Sequence, residues 1–197
     1  MSIEPPIHRR IVQASQGLPT GLQAHIEAVR RASADLAQRH GLDAAAAELA
    51  AQAHDICRTR KGPDLVASAR RFKLLVSPVD LALPVFLHGP VGAEVLRREY
   101  GLNDDAILNP IRYHTMGRAG MSGLEKVLFL ADKLDPSKIG RYPFIAEVAD
   151  LAKEDLDEAM LLFLDAQVKA FMELGSFVHP GMMEARNDAL LAIKGRG

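Results

Sequence analysis

Residues 44–58 read AAAAELAAQAHDICR, and the fold follows from how that stretch is read. Alanine is the best helix former, and Asp43 just before the run is a suitable N-cap. The stretch therefore predicts a helix from Ala44 to about His54. Side chains this small let neighbours approach closely, which marks the helix as central. It ends on His54-Asp55, and burying such a pair is costly unless something compensates it. A divalent metal is one such partner. His25 upstream, and His88, His114 and Asp132 downstream, are residues of the same ligand types. The six, on separate helices, are expected to converge on a two-metal hydrolytic site.

Working outward, the chain reads as all-α, a compact bundle of about seven to nine helices. Residues 1–19 hold Pro5, Pro6 and Pro19 and read as an N-terminal arm, with one short helix over Ile7–Ala14; residues 20–197 read as the catalytic domain. Thr20 and Gln23 have capping-box spacing. Leu22, His25, Val29, Ala32 and Leu36 then share a stripe that ends at Gly41. Asp64 is read as the cap of a helix over Leu65–Leu75. Ser77-Pro78-Val79-Asp80 opens a short helix. Pro90 starts another that runs to Tyr100, with His88 at its N-terminal end. Asn103 is read as the cap of a helix from Asp104 to about His114. Ser122 and Glu125 form a second capping box, and their helix ends at Asp132-Lys133. Three more helices follow, over Tyr142–Leu151, Asp155–Leu174 and Pro180–Ile193. No alternating run is long enough for a sheet.

Composition bounds the function. With 197 residues, 48% of them hydrophobic, the chain can bury a sizeable core. Its 24 basic and 25 acidic residues nearly cancel, so no general electrostatic footprint for nucleic acid or an anionic membrane exists. No run approaches the ~18 apolar residues of a membrane span. The single cysteine, Cys57, excludes an intrachain disulfide and suits a reducing compartment. A cytoplasmic protein is the expectation; a homodimer is left open.

The ligand types narrow the chemistry. Imidazole and carboxylate without thiolate suit iron, manganese or zinc in a hydrolytic site. Six donors exceed the needs of one four-coordinate ion, and the two oxygens of Asp55 suit a bridge. Paired metals ~3.5–4 Å apart clamp a phosphoryl group and activate a water between them.

His25, the His54-Asp55 pair and Asp132 resemble the H…HD…D signature of the HD-domain phosphohydrolases. The segments HDICR (54–58), HGPVGA (88–93), IRYHTMGRAGM (111–121) and LEKVLFLAD (124–132) are similar to one branch, the YqeK-type symmetrical bis(5′-nucleosyl)-tetraphosphatases. The resemblance implies a di-iron site that cleaves diadenosine tetraphosphate into two ADP. It implies that His25, His54, Asp55 and Asp132 hold one metal, and that Asp55, His88 and His114 hold the other. Iron is the metal it suggests, with manganese or another divalent ion as alternatives. The family often has lysine at Arg58, arginine at Lys138 and tyrosine at Lys133, and Pro110 also departs from its pattern.

The reaction expected is attack by a metal-bridging hydroxide in the middle of the polyphosphate. Cations must meet the charge that builds on the leaving nucleoside diphosphate. Arg118, between Gly117 and Gly120, is the first candidate; Arg58 and Lys138 are the next. Other HD-type phosphohydrolases (a nucleotidase or deoxynucleotide phosphatase) and a non-catalytic nucleotide-binding protein are the competing readings. His8, His40 and His179 are read as surface or capping histidines.

Overall fold

The computed structural model describes residues 5–134 and 144–196. Among these, eleven α-helices and no strand occur. They are α1 (Pro5–Gln16), α2 (Thr20–Arg39), α3 (Ala44–Ala53), α4 (Gly62–Arg71), α5 (Pro78–Ala82), α6 (His88–Val95), α7 (Asp105–Tyr113), α8 (Gly123–Lys133), α9 (Ile145–Glu154), α10 (Leu156–Glu173) and α11 (Pro180–Lys194). The all-α reading holds. The count exceeds the seven to nine expected for the bundle and equals the eleven segments read one by one, the short α5 among them.

Helix α3 is central, as its composition implies. Ala47, Leu49, Ala50, Ala51 and Ala53 are all buried, and α1, α2, α7 and α8 pack around it. Helix α8 is its counterpart. Leu128 and Ala131 join the core built on α3 and α7, while Val127, Phe129 and Leu130 join a second core with α10 and α11. A third cluster ties α4 to α6 through Leu65, Ala69, Phe72, Val91 and Val95. Helix α1 is longer than the expected Ile7–Ala14 turn and lies against α3, with Ile11 fully buried.

Caps decide several boundaries. Asp43 accepts from the Ala46 N–H, and both Ser77/Asp80 and Ser122/Glu125 close reciprocal capping boxes. Thr20/Gln23 does not. Pro19 is the N-cap there, and the Gln23 amide turns back to donate to the carbonyls of Gln16 and Leu18, closing the α1–α2 turn. Helix α4 starts at Gly62, earlier than expected, because Pro63 fits its first turn and leaves Asp64 inside the helix. Asp104, not Asn103, caps α7, accepting from the Ala106 N–H. The segment expected as one helix from Pro90 to Tyr100 begins at His88. It widens into a π-helical turn over Leu96–Tyr100 before Gly101 stops it at φ 79°.

The stripe on α2 is also displaced. Ile26, Val29, Ser33, Leu36 and Ala37 are the buried residues, while Leu22 and His25 lie at the edge of a cavity. That cavity is the reason: the core gives way to open space at this end of the helix.

Candidate metal centre

The cavity has a volume of about 420 Å³ and lies where α2, the turn after α3, the start of α6, the end of α7 and the end of α8 meet. Four of the five segments deliver their polar residue from a helix terminus. His54 follows the last residue of α3, His88 is the first of α6, His114 follows α7, and Asp132 lies in the last turn of α8. Termini converge here because helix interiors are committed to the three cores.

Asp55 is buried at the centre, and its two oxygens face different histidines. Its Oδ2 lies 3.5 Å from His54 Nε2 and 3.9 Å from His25 Nε2. Its Oδ1 lies 3.1 Å from His88 Nε2 and 3.8 Å from His114 Nε2. His25 Nε2 is in turn 3.1 Å from Asp132 Oδ1. Most of these separations are long for direct hydrogen bonds. They suit donors that share an ion, since ligands about 2.1 Å from one metal stand some 3–4 Å apart.

Three histidines are oriented in the same way. The Nδ1 of His54, His88 and His114 each meets the carbonyl three residues earlier, on Ala51, Val85 and Ile111. An acceptor on that side places the ring proton on Nδ1 and leaves the Nε2 lone pair for the cavity, the usual support for a metal-binding imidazole. Two consequences call for a cation. His54 Nε2 is buried with no hydrogen-bond partner among the described residues. His88 Nε2 and His114 Nε2 stand 2.9 Å apart, so their lone pairs repel unless a positive centre lies between them. The donor set therefore fits two divalent ions: one group is His25, His54 and Asp55, the other Asp55, His88 and His114.

The electrostatics agree. Burial pushes the pKa of His54 below the usual histidine range, and that of His114 well below it, which keeps both neutral as ligands. Cys57 is no ligand: it is buried between α4 and α6, and burial raises its thiol to about 11.

Of the expected cations, Arg58 lines the cavity. Arg118 does not reach its wall. Its guanidinium pairs with buried Glu125 (2.9 Å) and lies over the Tyr113 ring, 4.7 Å from the centroid. The glycine before it accounts for this. Gly117 takes φ 71°, and a Cβ there would stand 2.8 Å from Ala185 Cβ, so the loop approaches α11 instead of a ligand. Lys138 lies outside the described residues. Lys133 is a cation whose place at the cavity the residue-by-residue reading missed: it lines the wall, and its Nζ lies 2.7 Å from Asp132 Oδ2. Its place after a ligand was the available signal. Thr115, whose Oγ1 is 3.1 Å from His114 Nε2, and Phe86 also line the cavity, and nothing in their sequence context distinguished them. His40 and His179 serve structure. His40 Nε2 lies 2.7 Å from the Ala152 carbonyl, and His179 caps α11.

An all-α fold carrying a histidine–aspartate centre of this kind defines a metal-binding hydrolase, and the HD-domain family model matches residues 22–137. The chain belongs to the HD-domain family. Among its relatives, the symmetrical bis(5′-nucleosyl)-tetraphosphatase of Bacillus subtilis is 36% identical over 156 residues, 79% of this chain and 82% of that protein. The protein of the same name from Halalkalibacterium halodurans is 34% identical, over 86% of this chain and 89% of its own. The fold is similar to the crystal structure of a predicted HD-superfamily hydrolase involved in NAD metabolism from Clostridium acetobutylicum. That match has a TM-score of 0.88 and 27% identity, and covers 94% of this chain and 97% of the other.

Proposed function

We propose that this protein is a metal-dependent hydrolase that cleaves diadenosine tetraphosphate symmetrically into two ADP. The observation that carries the reading is the division of Asp55: one oxygen toward His25 and His54, the other toward His88 and His114. The names of the relatives supply the substrate. His25, His54, Asp132 and one oxygen of Asp55 would hold one ion; the other oxygen with His88 and His114 would hold the second. Two divalent ions supply a water of lowered pKa and polarise a phosphoryl oxygen. Imidazole and carboxylate donors suit iron, our first choice, and manganese.

The chain's own part is positioning and charge. Backbone carbonyls fix three imidazoles before substrate arrives, which is the preorganisation that electrostatic catalysis needs. Arg58 and Lys133 on the cavity wall would meet the phosphate oxygens. Held by Glu125, Arg118 would shape the adjoining surface instead of meeting developing charge. Hydrolysis of the central anhydride breaks one P–O bond, forms one to the oxygen of water, and leaves two phosphates on each product. The test is a product assay on metal-loaded protein with diadenosine tetraphosphate. ADP as sole nucleotide product supports the reading; AMP with ATP, or no turnover, overturns it.

A further inference from the structure

His88 and His114 come from different helices, yet their Nε2 atoms stand 2.9 Å apart. Packed helices can slide along one another by small amounts, so apolar contact alone does not fix such a spacing. Polar contacts join the two helices at both ends of α7. At its start Asp105 pairs with Arg97, from the π-helical turn that continues α6. At its end Arg112 donates from Nη2 to Glu94 Oε1, 2.8 Å away. The first pair is open to water, with the Asp105 side chain 66% exposed, and holds little. The second is enclosed: the Glu94 side chain is 9% exposed and that of Arg112 19%. Glu94 shares α6 with His88, and Arg112 lies in the last turn of α7, just before His114. The enclosed pair thus links the two helices that deliver one group of ligands and touches none that delivers His25, His54 or Asp132.

Stability does not account for this pair. A charge among the buried Val91, Ala93 and Val95 is expensive, and apolar residues of similar volume would hold the helices as firmly. The arrangement is also incompletely satisfied, since the buried Nε atoms of Arg97 and Arg112 make no hydrogen bond among the described residues. What a charged hydrogen bond adds to apolar packing is direction, and hence register. Arg98 Nε holds the other oxygen, Glu94 Oε2, at 2.9 Å, but it belongs to the same helical run as Glu94 and links no two helices.

We propose that Glu94 and Arg112 are positioning residues: their pair fixes the register of α6 on α7, and with it the His88–His114 spacing that the second ion requires. The proposal rests on the two-ion reading of the centre and not on the substrate. Its test is titration of the metal-free protein with manganese ions. Glu94→Gln keeps the shape and removes the charge. Arg112→Gln changes the more exposed partner and decides the matter should the first variant not fold. Arg98→Gln is the control, because it removes a partner of Glu94 and leaves the contact to α7 in place. In each of the first two variants one of the two metal affinities should fall about tenfold or more, as when an orienting partner is lost, and the other should stay within about twofold. The double variant should lose no more than either single one, since all three break one contact. Arg98→Gln should keep both affinities within about twofold. Two undisturbed affinities in the Glu94 and Arg112 variants, an equal fall at both sites, or as large a fall in Arg98→Gln overturns the proposal. A wild type that binds a single ion overturns it together with the two-ion reading. Selective loss of one affinity in a protein that does not hydrolyse diadenosine tetraphosphate upholds it and overturns the reaction alone.

Discussion

At the scale of single residues, the centre depends on how closely backbones approach. Gly89, next to His88, shows this. A Cβ there would stand 2.9 Å from the Ile111 carbonyl oxygen and 3.2 Å from His114 Cε1. Gly89→Ala must push α6 away from α7 and part His88 from His114. It is expected to weaken the metal at that pair about tenfold or more, comparable to losing an orienting partner, with little effect on the other. Metal titration of the variant checks this; two undisturbed affinities contradict it. The buried histidines also set a pH dependence. His54 and His114 are held below the usual pKa in the fold, whereas the unfolded chain protonates them near ~6.5. Below that pH the unfolded state binds more protons, so their contribution is complete above it and is lost as the pH falls. The metal-free protein should melt at a lower temperature at about pH 5.5 than at about pH 7.5. A melting temperature that rises on acidification contradicts the assignment. His54, His114 and Asp132 were legible in sequence because each lies at the end of a helix, and His88 because it lies at the start of one; His25, inside α2, was legible by its ligand type alone. Lys133 and Thr115 were less so, because what makes them cavity residues is the packing of α8 and α7, not their neighbours in the chain.

At the scale of elements, caps carry the site. Helix α8 brings Asp132 to the centre from its C-terminal end and is anchored at its N-terminal end by Ser122, whose hydroxyl accepts from the Glu125 N–H. Ser122→Ala should cost about 1 kcal/mol of stability, read by denaturant titration with the slope unchanged. A variant as stable as the wild type would show that the cap is dispensable. Glu125 also pairs with Arg118, so the same residue ties the loop after α7 to the start of α8. Both serine capping boxes were legible because a small hydroxyl and an acid at the right spacing face no competitor. The Thr20 box failed because Gln23 found two carbonyls across the α1–α2 turn. That choice depends on where the preceding helix lies, which spacing does not describe.

At the scale of the whole molecule, the centre joins parts of the fold that are distant in sequence. The side chains that would hold the ions come from α2, the turn after α3, α6, the turn after α7 and α8, so they meet only in the native state. Metal therefore binds the folded chain preferentially, and exhaustive chelation should lower stability by on the order of 3 kcal/mol where metal had been present at a hundred times its dissociation constant. Apo and holo proteins melting together would contradict this. Among the described residues no helix is long and apolar enough to cross a membrane. The central claim is that one buried carboxylate serves two ions, and metal stoichiometry tests it most directly. Elemental analysis of purified wild-type protein and of Asp55→Asn, which keeps the shape but loses the charge, is the measurement. The account predicts about two ions per chain in the wild type and fewer than about one in the variant, with the helical spectrum retained. One ion per chain in the wild type, or two retained in Asp55→Asn, would contradict it.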